Sequence, residues 1–216
     1  MSFLGYNKDM NKYGYSISEM RLFHRLNSPQ KIQDYINSIP FNFSERKNYL
    51  SPRFVIKNKK ADCLEGAIFA AMVLEFHGEK PWLLDLRSTK KPWDYDHVVA
   101  VFKKDGFFGA ISKTNHAVLR YREPVYKSIR ELVMSYFHEY FLTNGQKTLR
   151  EYSELFDLNK LNKLDWRITG GNLWEIHEYL DKIKHHKILT QKQIKNLRKV
   201  DRIEIKASWE EEYNRA

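Results

Sequence analysis

The spacing of apolar residues predicts a long helix in the first half of the chain. In CLEGAIFAAMVLEF, residues 63–76, apolar and small side chains recur at helical intervals. Asp62, just before it, is a suitable N-cap, and Gly78, just beyond it, is a suitable C-terminal residue. The alanines and Gly66 make one side of this helix narrow, so we expect another element to approach it closely.

Shorter helices are predicted ahead of this one. Ser28, followed by a proline, is a favourable start for the helix PQKIQDYINSI, and Pro40 ends it. The stretch NFSERKNYL, residues 42–50, predicts a second short helix with Ser44 as its cap.

After Gly78 the pattern changes to short runs of β-branched and aromatic residues with turn residues between them. Three such runs are predicted strands: PWLLDLRS, DHVVAVFKK and GFFGAISKT. Asp105 and Gly106, between the second and third runs, are a favoured pair for a tight hairpin turn. A central helix followed by an antiparallel sheet predicts the α+β class.

Helical spacing returns after Arg122. Three helices are predicted there: VYKSIRELVMSYFHEYFL, NLWEIHEYLDKIKHHKI and TQKQIKNLRKV, the last capped by Thr190. We therefore expect residues 1–142 to form an α+β core with N-terminal helices, and residues 143–216 to form a helical C-terminal extension packed on it. The two parts are expected to make one structural unit.

The formal charge of +10 at neutral pH raises the question of nucleic-acid binding. Residues 143–216 hold 15 Lys and Arg against 12 Asp and Glu, so +3 of this charge lies there and +7 lies in residues 1–142. The basic residues form short clusters beside turns, such as KNKK and STKK, without an arginine-rich run or a recognisable nucleic-acid module. Nucleic-acid binding is therefore ranked last among the candidate functions.

Several patterns bear on compartment and cofactors. The single cysteine, Cys63, cannot form a disulfide within the chain, so no oxidising compartment is implied. No segment has the pattern of a secretory signal, and no run of about 18 apolar residues predicts a membrane span. The sequence thus predicts a cytoplasmic protein without a membrane partner. The histidines form no HExxH or similar pattern, so we expect neither a metal nor another cofactor.

Cys63 is the first candidate for chemistry because it falls in the first turn of the predicted central helix. A helix N-terminus lowers the pKa of a thiol, and backbone N–H groups there, including that of Cys63, can hold an oxyanion. A buried cysteine is also commonly just a small apolar residue. His97 opens the strand DHVVAVF, and a histidine there can reach the N-terminus of a helix packed on the sheet and act as its base.

Three segments, ADCLEGA, DHVVAVF and FGAISKT, together resemble the transglutaminase-like branch of the papain-like fold, over about residues 53–114. In that family a cysteine opens a helix in the pattern G-x-C-x-x-x-A, and a histidine starts a strand some tens of residues later. An aspartate follows on the next strand in the pattern W-x-x-x-D-x-T. Here Cys63 and His97 match, 34 residues apart, with Ala61 for the glycine and Phe108 for the tryptophan. The resemblance implies a central helix on a small antiparallel sheet.

The resemblance also implies a cysteine-dependent amide hydrolase or acyltransferase, with Cys63 as nucleophile and His97 as base. Ser112 stands where the family has its aspartate, and a serine can orient the imidazole but cannot stabilise the imidazolium by charge. Asn115 is the second candidate for that position. Asp96 adjoins His97, but alternation along a strand should turn its side chain to the other face of the sheet.

The remaining candidates lie in loops. Asn58 is a candidate for an amide donor to the oxyanion site, and Trp93 and Tyr95 are candidates for substrate binding. The implied substrate is a protein or peptide, and hydrolysis and transamidation stay undecided. The alternative function is a catalytically weak or inactive transglutaminase-like module that binds a partner protein through Trp93 and Tyr95. In a third interpretation, this loop is an ordinary lid whose aromatic side chains pack on the sheet. The sequence leaves the oligomeric state open.

Overall fold

A computed structural model describes residues 13–44 and 48–213 of the chain. The helices, in chain order, are α1 (Ile17–Arg25), α2 (Pro29–Asn37), α3 (Pro52–Asn58), α4 (Cys63–Phe76), α5 (Ile129–Phe137), α6 (Trp174–Lys182), α7 (Gln191–Lys195) and α8 (Arg202–Ser208), with a 3₁₀-helix at Leu158–Leu164. The strands are β1 (Trp82–Arg87), β2 (His97–Lys104), β3 (Phe107–Ile111), β4 (Arg122–Tyr126), β5 (Glu151–Ser153), β6 (Phe156–Asp157) and β7 (His185–Lys187).

The strands form one sheet in the order β4-β3-β2-β1-β5-β7, and β6 also pairs with β1. Each neighbouring pair is antiparallel. The hairpin between β2 and β3 turns at Asp105 and Gly106, whose φ angles are 51° and 89°. Positive φ at both central residues is the requirement of a type I′ turn, so the predicted hairpin is confirmed.

Helix α4 has the bounds that the sequence predicts. The Asp62 side chain accepts a hydrogen bond from the backbone N–H of Glu65, and the Glu65 side chain accepts one from the backbone N–H of Asp62. Gly78 follows the helix with φ of 92°. The helix is buried from Leu64 to Leu74 and packs on β2. At Gly66 it closely approaches the segment that follows β3, where a Cβ would lie 2.5 Å from the Cβ of Lys113.

The sheet is covered on both faces because β2 contributes apolar side chains to each. Val98, Ala100 and Phe102 belong to the core that contains α4 and the N-terminal helices. Val99 and Val101 belong to a second core formed with α5. An antiparallel sheet with helices on both faces confirms the α+β class.

Before α4, the helix beginning at Pro29 is confirmed, with Ser28 as its N-cap. The predicted helix over 42–50 is wrong in its described part, because residues 42–44 and 48–50 are not helical; residues 45–47 lie outside the described residues. Ser44 therefore caps no helix there. The reason is tertiary: the backbone N–H of Asn42 donates to the carbonyl of Ala61, and that of Leu50 donates to the carboxylate of Glu65.

After Arg122 the chain contains more strand than predicted. Residues 122–126 pair with β3, so the helix expected over 125–142 begins only at Ile129, capped by Ser128. The helix expected over 172–188 ends at Lys182 and is followed by β7. The segment 143–216, expected to be helical, contributes β5, β6 and β7 to the same sheet as β1 and β2. These strands form because distant partners satisfy their backbone groups, which local spacing does not reveal.

In the described part of the chain, no helix combines the length and the apolar character that a bilayer crossing requires.

Candidate active site

Cys63 is the first residue of α4 and is partly exposed. The helix start that carries it is fixed by Glu65, a fully buried carboxylate. Glu65 accepts hydrogen bonds from the backbone of Asp62 at 2.8 Å, from the backbone of Leu50 at 2.8 Å and from the side chain of Asn42 at 2.9 and 3.0 Å. The segment before α3 is thereby tied to the first turn of α4.

The surroundings of the sulfur favour the neutral thiol. Burial raises the pKa of Cys63 well above its usual value, and the Asp62 carboxylate, whose own pKa burial also raises, acts in the same direction when it is ionised. The backbone N–H groups of Val98 and Leu64 point at the sulfur and offset only part of this. The predicted lowering of the thiol pKa at the helix N-terminus is therefore wrong, because desolvation and a carboxylate at the same terminus outweigh the helix dipole.

His97 is the first residue of β2, is buried, and contacts Ser112 with its ring. Its Nε2 lies 2.8 Å from the Ser112 hydroxyl, and that hydroxyl donates to the carbonyl oxygen of Leu119 at 2.5 Å. A hydroxyl has one proton to donate, so Ser112 accepts from Nε2–H of His97. The neutral ring therefore carries its proton on Nε2 and presents Nδ1 as the basic nitrogen.

The charge state of His97 follows from its burial. Burial lowers the pKa of His97 to about 4, and the nearby charge of Arg122 acts in the same direction. The ring is thus neutral at neutral pH. In the described part of the chain, Nδ1 has no hydrogen-bond partner.

Ser112 is held by backbone and side-chain contacts that the sequence does not reveal as part of a site. Leu119, whose carbonyl accepts from Ser112, has its own N–H bonded to the carboxylate of Glu139 at 2.8 Å. Glu139 in turn forms an ion pair of 2.6 Å with Arg122. The backbone of Ser112 is bonded on its other side by Gln33, which both donates to it and accepts from it. Four elements of the chain thus fix the serine that orients His97.

Cys63 and His97 lie at the start of β2 on opposite sides of the strand, and no hydrogen bond joins their side chains among the described residues. The His97 side chain lies on the sheet face of Leu86 and Val99, which belongs to the second core, whereas α4 packs on the other face. The backbone N–H of Val98, the residue that follows His97 in the chain, points at the sulfur. The thiol is therefore next to the peptide unit that follows His97, approached from the opposite side of the strand.

Two sequence candidates lie apart from His97. The side chain of Asn115 donates to the carbonyl of Tyr213 at 2.9 Å and accepts from its N–H at 3.0 Å, so it fastens the C-terminal segment and does not orient the imidazole. The proposal of Asn115 as the third member is wrong for this reason. Asn58 is exposed at the end of α3, and its side chain forms no hydrogen bond among the described residues.

Trp93 and Tyr95 project from a braced loop between β1 and β2. They are 58% and 68% exposed, and their rings meet edge to face with centroids 4.2 Å apart. The Asp96 carboxylate accepts from the Ser88 backbone at 2.7 Å, and the Tyr140 hydroxyl donates to the carbonyl of Tyr95. The aromatic side chains face solvent, so the interpretation of a lid with its aromatics packed on the sheet is wrong.

A second titratable pair lies near Cys63 and was not found from the sequence. Nε2 of His185 is 3.0 Å from the carboxylate of Asp85, and both side chains are buried. Carboxylate oxygens of Asp85, Asp96 and Asp181 lie within 4.8 Å of one another. We assign no metal to them, because Asp85 accepts from His185 and Asp96 accepts from Ser88 and Lys90. No local pattern could have found this pair, since its members are 100 residues apart.

No protein-family model matches this chain, and comparison with curated proteins gives no match. Proposals about function therefore depend on the geometry of the site.

Proposed function

We propose that this protein is a cysteine-dependent amide hydrolase or acyltransferase of the transglutaminase-like kind, acting on a protein or peptide. Cys63 is the nucleophile, His97 the general base, and Ser112 the residue that positions the imidazole. The observation that carries the proposal is the chain of hydrogen bonds from His97 through Ser112 to the carbonyl of Leu119. It leaves Nδ1, the nitrogen needed for proton transfer, as the base.

The reaction starts from a neutral thiol and a neutral imidazole, since the pKa of Cys63 is raised and that of His97 is lowered to about 4. Because the two groups lie on opposite sides of the start of β2, the imidazole must first turn towards the sulfur. Nδ1 then takes the thiol proton as the sulfur attacks the amide carbonyl, and the carbonyl oxygen becomes an oxyanion near the backbone N–H of Cys63. The imidazolium then gives this proton to the amide nitrogen. The C–N bond breaks, the amine leaves, and the acyl group stays on the sulfur as a thioester. Water resolves the thioester by hydrolysis, or a second amine resolves it by transamidation.

A serine in the third position sets an expectation for the rate. The imidazolium that forms during attack gains no charge stabilisation from Ser112, whereas a carboxylate would supply it. The site should therefore be slow compared with one that contains an aspartate. An enzyme that acts rarely, or on one tightly bound substrate, is compatible with this limit.

The test is acylation of Cys63 by an activated ester. Wild-type protein mixed with p-nitrophenyl acetate should release p-nitrophenol in a stoichiometric burst, and peptide mass spectrometry should find the acetyl group on Cys63. His97→Gln should slow the burst by about a hundredfold or more, as loss of a general base does. His116→Gln, a variant of a partly exposed histidine near the sheet, is the matched control and should react like wild type. An acetyl group on lysines only, or equal rates in the two variants, contradicts the proposal.

A second candidate function is a protein-interaction module without activity. The exposure of Trp93 and Tyr95 on a braced loop favours it, because aromatic side chains presented rigidly to solvent are frequent anchors of interfaces. A partner that copurifies with Cys63→Ala but is lost with Trp93→Ala supports this function. A partner or substrate retained by Trp93→Ala and lost with Cys63→Ala supports catalysis instead.

A further inference from the structure

A cavity of about 390 Å³ opens between the end of β1, the start of the β1–β2 loop, the segment before β5, and α7. We call it the basic cavity because cationic side chains line it: Arg87, Lys90, Lys91 and Arg150. Glu151 is the one carboxylate among its described lining residues. It lies in the part of the chain that the proposed mechanism does not use.

The carboxylates around the basic cavity neutralise its charge only in part. Lys90 lies 3.1 Å from the carboxylate of Asp96, which is a normal ion pair. The guanidinium nitrogens of Arg87 are 3.8 Å from Glu151 and 3.6 Å from Asp181, both too long for hydrogen bonds. A surplus of positive charge therefore remains at the cavity wall.

Lys91 and Arg150 have no acidic partner within 4.0 Å among the described residues. Two nitrogens of the Arg150 guanidinium donate to the backbone carbonyls of Leu149 and Lys147, each at 2.8 Å. A half-buried guanidinium satisfied only by neutral carbonyls keeps its full charge, and burial lowers its pKa. Such a group is stabilised by an anion placed beside it.

Arg87 is held in the cavity wall by the protein, because its Nη2 donates to the backbone carbonyl of Asp181 at 2.8 Å. Its Nε is buried and has no hydrogen-bond partner among the described residues. This nitrogen has less than 1 Å² of accessible surface, so a ligand in the cavity does not reach it, and Arg87 contributes charge to the site. Arginine presents its N–H groups in a planar fork that matches the oxygen atoms of an oxyanion.

The size and charge of the basic cavity indicate the class of ligand. Its volume is in the range of small-molecule sites, about 300–1,000 Å³, and exceeds the volume of a bare inorganic ion. Ile194 adds an apolar patch to the wall. Lys91 and Arg150, the two lining cations without an acidic partner among the described residues, can together face the two charges of a dianion, so a phosphate monoester with a compact apolar group fits best.

We propose that the basic cavity binds a small phosphomonoester, with Arg150 bonded to its phosphate and Arg87 and Lys91 providing further charge. The site does not depend on the proposed function of Cys63, since none of these residues contacts the thiol or His97. A ligand bound there would join the β1–β2 loop to the segment before β5 and to α7.

The experiment is isothermal titration of the full chain with phenyl phosphate, inorganic phosphate and benzoate at constant ionic strength. Phenyl phosphate should bind with saturation, and benzoate, which offers one charge on a ring of the same size, should bind more weakly. Arg150→Gln should weaken phenyl phosphate by about tenfold or more, as loss of a hydrogen bond to a charged group does. Lys91→Gln, which removes an exposed charge without a structural contact, should also lower the affinity for phenyl phosphate.

Lys103→Gln is the matched control, because Lys103 is exposed on β2 outside the cavity and lies over the ring of Phe108. Its affinity for phenyl phosphate should equal that of wild type. The proposal is overturned by equal losses in Lys103→Gln and Lys91→Gln, which indicate diffuse surface charge. Equal affinity for benzoate and phenyl phosphate, or the absence of saturation, also overturns it. Lys91→Gln keeps the test valid if Arg150→Gln fails to fold.

Discussion

At the scale of single residues, the carbonyl of Leu119 decides which ring nitrogen of neutral His97 carries the proton. Ser112 donates its proton to that carbonyl and so accepts from Nε2 of His97. The sequence indicated Ser112 as the candidate third member, and the structure places its hydroxyl against the ring. The sequence could not indicate Leu119, because every residue has a carbonyl oxygen and the side-chain pattern does not show which one accepts a hydrogen bond.

The lowered pKa of His97 makes the free energy of unfolding depend on pH. The folded protein holds the ring neutral down to about pH 4, whereas the unfolded chain takes up a proton near the ordinary value of 6.5. The unfolded state therefore binds more protons between these values, so stability from this group is complete above about pH 6.5 and is lost as the pH falls towards 4. Between about pH 7 and about pH 5 the expected loss is about 2 kcal/mol.

Urea unfolding of wild type and His97→Gln at both pH values measures this contribution. Glutamine does not titrate, so the variant should lose about 2 kcal/mol less than wild type over the same interval. The other histidines are common to both proteins and cancel in the difference. Parallel pH dependence in the two proteins would show that His97 is not held neutral by burial.

At the scale of elements, the helix that carries Cys63 is predictable because its start, its end and its small residues are all local signals. Asp62 and Glu65 form the capping box, and Gly78 adopts positive φ after the helix. The raised pKa of the thiol was not predictable. It arises from burial beneath β2 and from the charge of Asp62, whereas a sequence shows only the favourable position at the helix N-terminus.

Glu65 should matter more than an ordinary capping residue. It serves the capping box and also accepts from Asn42 and Leu50, all at a site with no exposure to solvent. Glu65→Ala leaves these buried donors unpaired and should lower the free energy of unfolding by about 3 kcal/mol, measured by urea unfolding at neutral pH.

Glu204→Ala is the matched control for this substitution. Glu204 occupies the same capping-box position of α8, where it is exposed and accepts from the backbone of Asp201 at 2.7 Å. Its loss should cost about 1 kcal/mol or less. Similar losses in the two variants would mean that the contacts of Glu65 beyond the cap add nothing to stability.

At the scale of the whole molecule, one sheet joins the middle and last thirds of the chain. Leu86 on β1 pairs with Tyr152 on β5, and β5 pairs with β7 through Ser153 and His185. His185 then returns to β1 through its contact with Asp85. The region around Cys63 is therefore completed by a segment that the sequence predicted as a helical extension.

The pair of His185 and Asp85 should be important for holding β7 against β1. Nδ1 of His185 lies 2.8 Å from the carbonyl of Ile183 and Nε2 lies 3.0 Å from Asp85, so both ring nitrogens face acceptors. Replacing His185 by Asn leaves a buried carboxylate without its partner and should cost about 3 kcal/mol or more in urea unfolding. The neighbouring His186→Asn, whose side chain is 41% exposed, should cost about 1 kcal/mol or less. A small loss in both variants would show that β7 does not depend on the pair.

The sequence by itself determined the α+β class, the capped helix that begins at Cys63, the hairpin between β2 and β3, and the pairing of a serine with His97 as a candidate. These follow from spacing, caps and turn residues, which act over a few positions along the chain. Only the tertiary structure decided the charge states of Cys63 and His97, the attachment of Asn115 to the C-terminal segment, and the late strands of the sheet. Burial and long-range hydrogen bonding decide these properties, and both depend on residues far apart in the chain that folding brings together.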